Sequence, residues 1–165
     1  MKKKDHPMPD LFSHALGGYI LLRPRWQAFL IPSIFMLGCI FPDMVRGPLL
    51  MITNLIKTAP EYSYPFLILH SPLPLLVQAW LVSWLFEKTI RRRVFLNLLA
   101  GIILHLVLDA GQKAYHISYL WYFPFSFENP INGLWWADDG FFVTAVFIMV
   151  AGSLFLIRRR HTPKR

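Results

Sequence analysis

The chain has 165 residues, of which 55% are hydrophobic, 16% aromatic and only 16% charged. Its mean hydropathy is +0.43. A soluble domain of this size carries about 25% charged residues, so the composition excludes an ordinary water-soluble domain. It indicates one all-α unit over residues 1–165, a polytopic membrane helical bundle of about four to five short spans. The net charge is +8. Such a balance fits either nucleic acid or the cytoplasmic loops of a membrane protein. Here the bases abut apolar runs and form no face interleaved with aromatics, which excludes nucleic acid as the partner.

In chain order, Met1, Lys2, Lys3 and Lys4 suggest the start of a signal peptide. Asp5, His6, Pro7, Pro9, Asp10 and His14 then interrupt the apolar core that such a peptide needs, so the N-terminus is expected to be retained. A first apolar segment runs from Leu11 to Leu22 and ends at a tight basic turn, Arg23-Pro24-Arg25. The second runs from Ala28 to Phe41 and contains the lone cysteine, Cys39, expected to be a small buried hydrophobe. Residues 42–65 read as a loop whose apolar stretch, Leu49 to Ile56, lies along the interface. The third segment, Phe66 to Phe86, reaches the roughly 20 residues of a perpendicular span. Glu87 to Arg93 reads as a basic turn, Val94 to Leu108 as the fourth segment, and residues 110–140 as the largest loop, rich in aromatics and proline. The fifth segment is Phe141 to Ile157, with Trp135 and Trp136 as interfacial anchors. A basic cytoplasmic tail, expected to be disordered, occupies residues 158–165.

The bases orient this bundle. The Arg23 turn, the Glu87 to Arg93 turn and the C-terminal tail together hold eleven bases and one acid, a net charge of +10. The remaining loops and the N-terminus hold six bases and eight acids, a net charge of −2. The Lys and Arg excess predicts the first side as cytoplasmic, with the C-terminus inside. Lys2, Lys3 and Lys4 then lie outside, unless the first segment is re-entrant.

Ionisable groups inside apolar segments are costly and mark functional sites. This chain carries five: His14, Asp43, His70, His105 and Asp109. In the topology drawn from the loops alone, all five fall toward the non-cytoplasmic end. His105 and Asp109 are four residues apart and share one helix face. Three imidazoles and two carboxylates suit Zn²⁺, one or two ions, with Mn²⁺ or Fe as alternatives. His6, His116 and His161 lie in loops or tails and read as solvated.

At these residues the sequence resembles a known family. Ser13-His14-Ala15-Leu16-Gly17-Gly18, Gly38-Cys39-Ile40-Phe41-Pro42-Asp43, His70-Ser71-Pro72-Leu73, His105-Leu106-Val107-Leu108-Asp109 and Pro124-Phe125-Ser126 occur in the order of the YdjM-like (DUF457) family. Those are bacterial inner-membrane proteins classed as metal-dependent hydrolases. The pattern is similar, more remotely, to zinc-dependent phospholipase C and the S1/P1 nucleases. The resemblance implies a multi-pass protein of the bacterial inner membrane. It further implies one metal on Asp43, His70 and His105, with Asp109 bridging to a second that His14 helps bind. Pro42-Asp43 is followed by Met44 and Val45 where family members often carry a second carboxylate.

The expected function is therefore a membrane-bound hydrolase acting on a phosphoester, a phospholipid or a lipid-linked phosphate, at the outer membrane–water interface. His105 and Asp109 are the expected catalytic residues. Trp121, Tyr122, Trp135 and Trp136 line its mouth or serve as belt anchors. Two alternatives stand beside it: a metal-free lipid phosphatase, whose last motif is also His-x-x-x-Asp, and a non-enzymatic membrane protein whose polar groups tie helices together.

Overall fold

A computed structural model describes residues 10–22, 30–55, 64–113, 119–136 and 140–161. The described residues form six helices: α1 (Asp10–Leu21), α2 (Pro32–Leu55), α3 (Tyr64–Leu69), α4 (Pro72–Ser83), α5 (Lys88–Ala110) and α6 (Gly140–His161). Two residues at a time, β1 (Gln112–Lys113) and β2 (Trp135–Trp136) pair in parallel. The chain is thus all-α in class. The Arg23-Pro24-Arg25 turn, the lysines of the N-terminus, His6, Lys57, Glu61, His116, Asp138, Asp139 and the last four residues lie outside the described set.

Helix boundaries depart from the hydropathy segments at four places, each with a local cause. The second segment does not end at Phe41: α2 passes through Pro42 and Pro48 to Leu55. Each proline removes one helical hydrogen bond. α2 shares its largest interface with α5, with the close approach at Gly38, before both prolines, whereas Gly47 and Pro48 are exposed. The third segment is broken in two. Pro72 opens α4, and the residue before it, Ser71, is extended at φ −80° and ψ 156°, as a residue preceding proline prefers. The carbonyls at the end of α3 are capped by Ser71 Oγ, which donates to Ile68 O at 2.6 Å, and by Gln78 Nε2, which donates to Leu69 O at 2.7 Å. Lys88 to Arg93 are helical, the turn being confined to residues 84–87. Finally, α6 continues through Arg158 to His161, where cations favour the C-terminal end of the helix dipole.

The core lies where α5 meets α2 and α4. Leu75, Ala79, Val94, Leu98 and Ile102 are buried together, and Leu22, Phe35 and Cys39 form a second cluster. Close approach of α2 to α5 depends on two glycines. A Cβ at Gly38 would run into the Leu98 carbonyl oxygen, and one at Gly101 into that of Phe35. Buried Asn97 reinforces the contact. Its Oδ1 accepts the Ile31 N–H just ahead of α2, and its Nδ2 donates to Arg93 O, both at 2.7 Å.

The outer faces are as apolar as the inner ones. On α4, Leu76, Val77, Trp80 and Leu81 are exposed; on α5, Leu96, Ile103 and Val107; on α6, Ile148, Met149 and Phe155. By contrast, the buried stripe of α5 carries Asn97, His105 and Asp109. Among the described residues one helix, α5 at 23 residues, is long and apolar enough to cross a membrane. Shorter apolar helices lie within α2, α4 and α6.

Candidate metal centre

Three helices and the break between α3 and α4 deliver the five ionisable groups to one place. His14 sits one turn into α1, which Ser13 fastens to α6 through an Oγ–Oγ1 contact of 2.8 Å with Thr144. Asp43 follows Pro42 within α2. His70 occupies the break between α3 and α4, so its side chain leaves the backbone where no helix face constrains it. His105 and Asp109 lie one turn apart on the buried face of α5. The structure brings together all five residues picked from the sequence.

The separations are short. His70 Nε2 and His105 Nε2 are 3.0 Å apart. His105 Nε2 is 3.2 Å from Asp109 Oδ2 and 3.8 Å from Asp43 Oδ1, and His70 Nε2 is 3.5 and 3.7 Å from the same two oxygens. His14 Nδ1 lies 3.2 Å from Asp43 Oδ2 and its Nε2 3.3 Å from Asp109 Oδ1. The His14 and His105 rings stack, their centroids 3.9 Å apart.

Burial makes these contacts costly as they stand. His14, His70, His105 and Asp109 are no more than 3% exposed; the Asp43 side chain, at 18%, is the most exposed of the five. Both His14 nitrogens, Asp43 Oδ2 and Asp109 Oδ2 are buried yet make no well-aligned hydrogen bond. Each buried polar atom left so costs about 1–3 kcal/mol. These four atoms approach their neighbours without the angles of hydrogen bonds, whereas His70 Nε2 and His105 Nε2 are within hydrogen-bonding geometry.

The backbone fixes one ring. His105 Nδ1 lies 2.8 Å from the Cys39 carbonyl oxygen. An oxygen there can only accept, so Nδ1 carries the proton and Nε2 turns its lone pair to the cluster, the outer-shell arrangement common to metal-ligating histidines. Two triads, His14–Asp43–His105 and His70–His105–Asp109, each have ligand atoms within 4.8 Å of one another. The donor set and its spacing can hold a divalent ion.

Sequence reasoning missed two contributors to the site and one to the helix contact beside it. The Cys39 carbonyl has no side-chain signal, and Cys39 itself is a buried free thiol, as expected. Asn97 is a polar residue in an apolar segment and was open to the same rule as the histidines. Tyr119 is the third: its ring lies 5.6 Å from that of His70 and 5.8 Å from that of Trp121. Of the aromatics singled out, Trp121 thus approaches the site through Tyr119, whereas Tyr122 is 59% exposed. Trp135 packs against Gly111, and the Leu134 and Trp135 N–H groups donate to Gly111 O, tying the aromatic loop to the end of α5. Comparison with family models, curated proteins and solved structures returns no match.

Proposed function

We propose that this chain is a multi-pass, metal-dependent membrane hydrolase of the YdjM-like kind, acting on a phosphoester at headgroup depth. The observation that carries the reading is the convergence of three imidazoles and two carboxylates on one buried, ion-sized space, with His105 held by a backbone carbonyl. The membrane part of the reading rests on the helices' exposed apolar faces, since contiguous patches of that kind are rare on soluble monomers, and on the polar stripe that α5 keeps inside.

Asp43, His70, His105 and Asp109 would hold the metal, with His14 beside them. A divalent ion so bound supplies a water ionised near neutral pH and a charge to offset that of a phosphate oxygen. The protein's own part is positional. The Cys39 carbonyl keeps the His105 lone pair inward, Asp109 keeps the carboxylate of the His-x-x-x-Asp turn beside it, and Asp43, the most exposed of the five, marks the side from which a headgroup phosphate would approach. Tyr119 walls the His70 side.

Elemental analysis of protein purified in detergent tests this reading. A transition metal is expected in the wild type, and its loss, with loss of phosphodiester hydrolysis, in His105→Ala and Asp109→Ala. Wild-type protein that takes up no Zn²⁺, Mn²⁺ or Fe²⁺ after purification would overturn it and leave the polar cluster as a tie between helices.

A further inference from the structure

The five groups are not equivalent. We infer that the centre holds one ion, on His70 Nε2, His105 Nε2, Asp43 Oδ1 and Asp109 Oδ2, and that His14 lies outside its coordination shell as a positioning residue spanning the two carboxylates. The inference rests on the metal-centre reading above. It departs from what the resemblance implies, in which His14 helps bind a second ion.

Spacing favours a single ion on these four atoms. Five of the six edges joining those four atoms run from 3.0 to 3.8 Å. A tetrahedral ion with ligand bonds of about 2.1 Å sets its ligand atoms about 3.4 Å apart. A ring-to-ring hydrogen bond from His70 Nε2–H to His105 Nε2 accounts for one of these edges but not for the other four, which bring both carboxylates to the same two nitrogens.

The supply of lone pairs also limits the centre to one ion. Both candidate triads use His105. Its Nδ1 proton is given to Cys39 O, so a single inward lone pair remains, and it serves one ion. The two triads therefore cannot be filled together.

His14 is placed between the two carboxylates. The carboxylate oxygens left over from the four-atom set are Asp43 Oδ2 and Asp109 Oδ1. They face different nitrogens of His14, Nδ1 and Nε2. A second ion bound by His14 would sit at one nitrogen, with both leftover oxygens drawn to it. Instead the ring lies flat against His105 with one carboxylate at each nitrogen. That is how a residue fixes the orientation of two ligands. Outer-shell partners of this kind change metal affinity by about 10- to 100-fold when removed.

The test uses the full chain in detergent, stripped with chelator and reloaded with Zn²⁺ or Co²⁺ alone. One ion per chain is expected in the wild type. His14→Ala is expected to keep one ion with an affinity about 10- to 100-fold weaker, and to leave the Co²⁺ visible absorption band in place. His70→Ala is expected to abolish stoichiometric loading. His14→Gln, which restores polar groups facing the carboxylates, should recover part of the affinity and guards against misfolding of the alanine variant. Two ions in the wild type with one lost in both His14 variants overturns the inference while leaving a metal centre standing. Unchanged affinity in both His14 variants overturns it as well. A wild type that binds neither ion overturns the metal-centre reading itself.

Discussion

Asn97 shows how a buried polar side chain can serve the fold beside a cluster of ionisable groups. Its carboxamide satisfies two backbone groups, Ile31 N–H and Arg93 O, each at 2.7 Å, and it is 3% exposed. Truncation leaves the Ile31 N–H without its partner, which costs about 1–3 kcal/mol. Asn97→Ala is therefore expected to lower stability in a denaturing-detergent titration by that amount, with metal stoichiometry unchanged. Loss of metal in the variant would show that Asn97 belongs to the site. The contrast with His105 and Asp109, on the same buried stripe two to three turns away, lies in the partners: Asn97 meets its full complement in the backbone, whereas the ionisable groups meet mainly one another. The five were legible because charge-bearing side chains stand out in apolar runs. The Cys39 carbonyl that orients His105 was not, because every residue carries a carbonyl and only packing decides which one is presented. Tyr119 likewise stood as one aromatic among many until the fold set its ring against His70.

Hydropathy recovered the positions of the helices better than their breaks. A window average treats Phe66 to Phe86 as continuous, yet φ and ψ at Ser71 interrupt it, and Pro72 was the visible sign. The reverse holds in α2. Proline is read as a stop, but the helix runs on through Pro42 and Pro48; each removes one hydrogen bond without breaking the run. The break between α3 and α4 matters to the site because it frees His70 from helix register. Pro72→Ala removes the bias that keeps Ser71 extended and lets the two helices join. The expected result is a small gain in helical circular dichroism together with at least a roughly 10-fold loss of metal affinity, the scale on which displaced site geometry is felt. Wild-type affinity in a variant whose helicity has risen would mean that the break does not position His70.

The two ends of the bundle differ in charge and chemistry. Along α5, Arg93 and His105 are separated by roughly 18 Å at 1.5 Å per residue, more than half of a hydrocarbon core of about 30 Å. The same polarity runs along α1: Ser13 and His14 lie at the site, while Tyr19 lies under Arg158 of α6, 5.3 Å from its ring centroid. Arg91 stacks on Trp84, 4.4 Å from the ring centroid, at the turn between α4 and α5. Arg91, Arg93 and Arg158 thus lie at the end remote from the five ionisable groups. If α5 crosses the membrane with its basic end inside, the aromatic loop over the site faces outward. Two exposed positions distinguish the ends: Phe125 in that loop, 90% exposed, and Leu85 in the α4–α5 turn, 83% exposed. Native Cys39 is fully buried and need not be removed. A membrane-impermeant maleimide applied to intact spheroplasts should modify Phe125→Cys, and should reach Leu85→Cys only after lysis. The opposite pattern would invert the orientation and put the site inside the cell. Labelling of both variants in intact spheroplasts would mean that α5 does not cross, and the headgroup-depth substrate would fall with it.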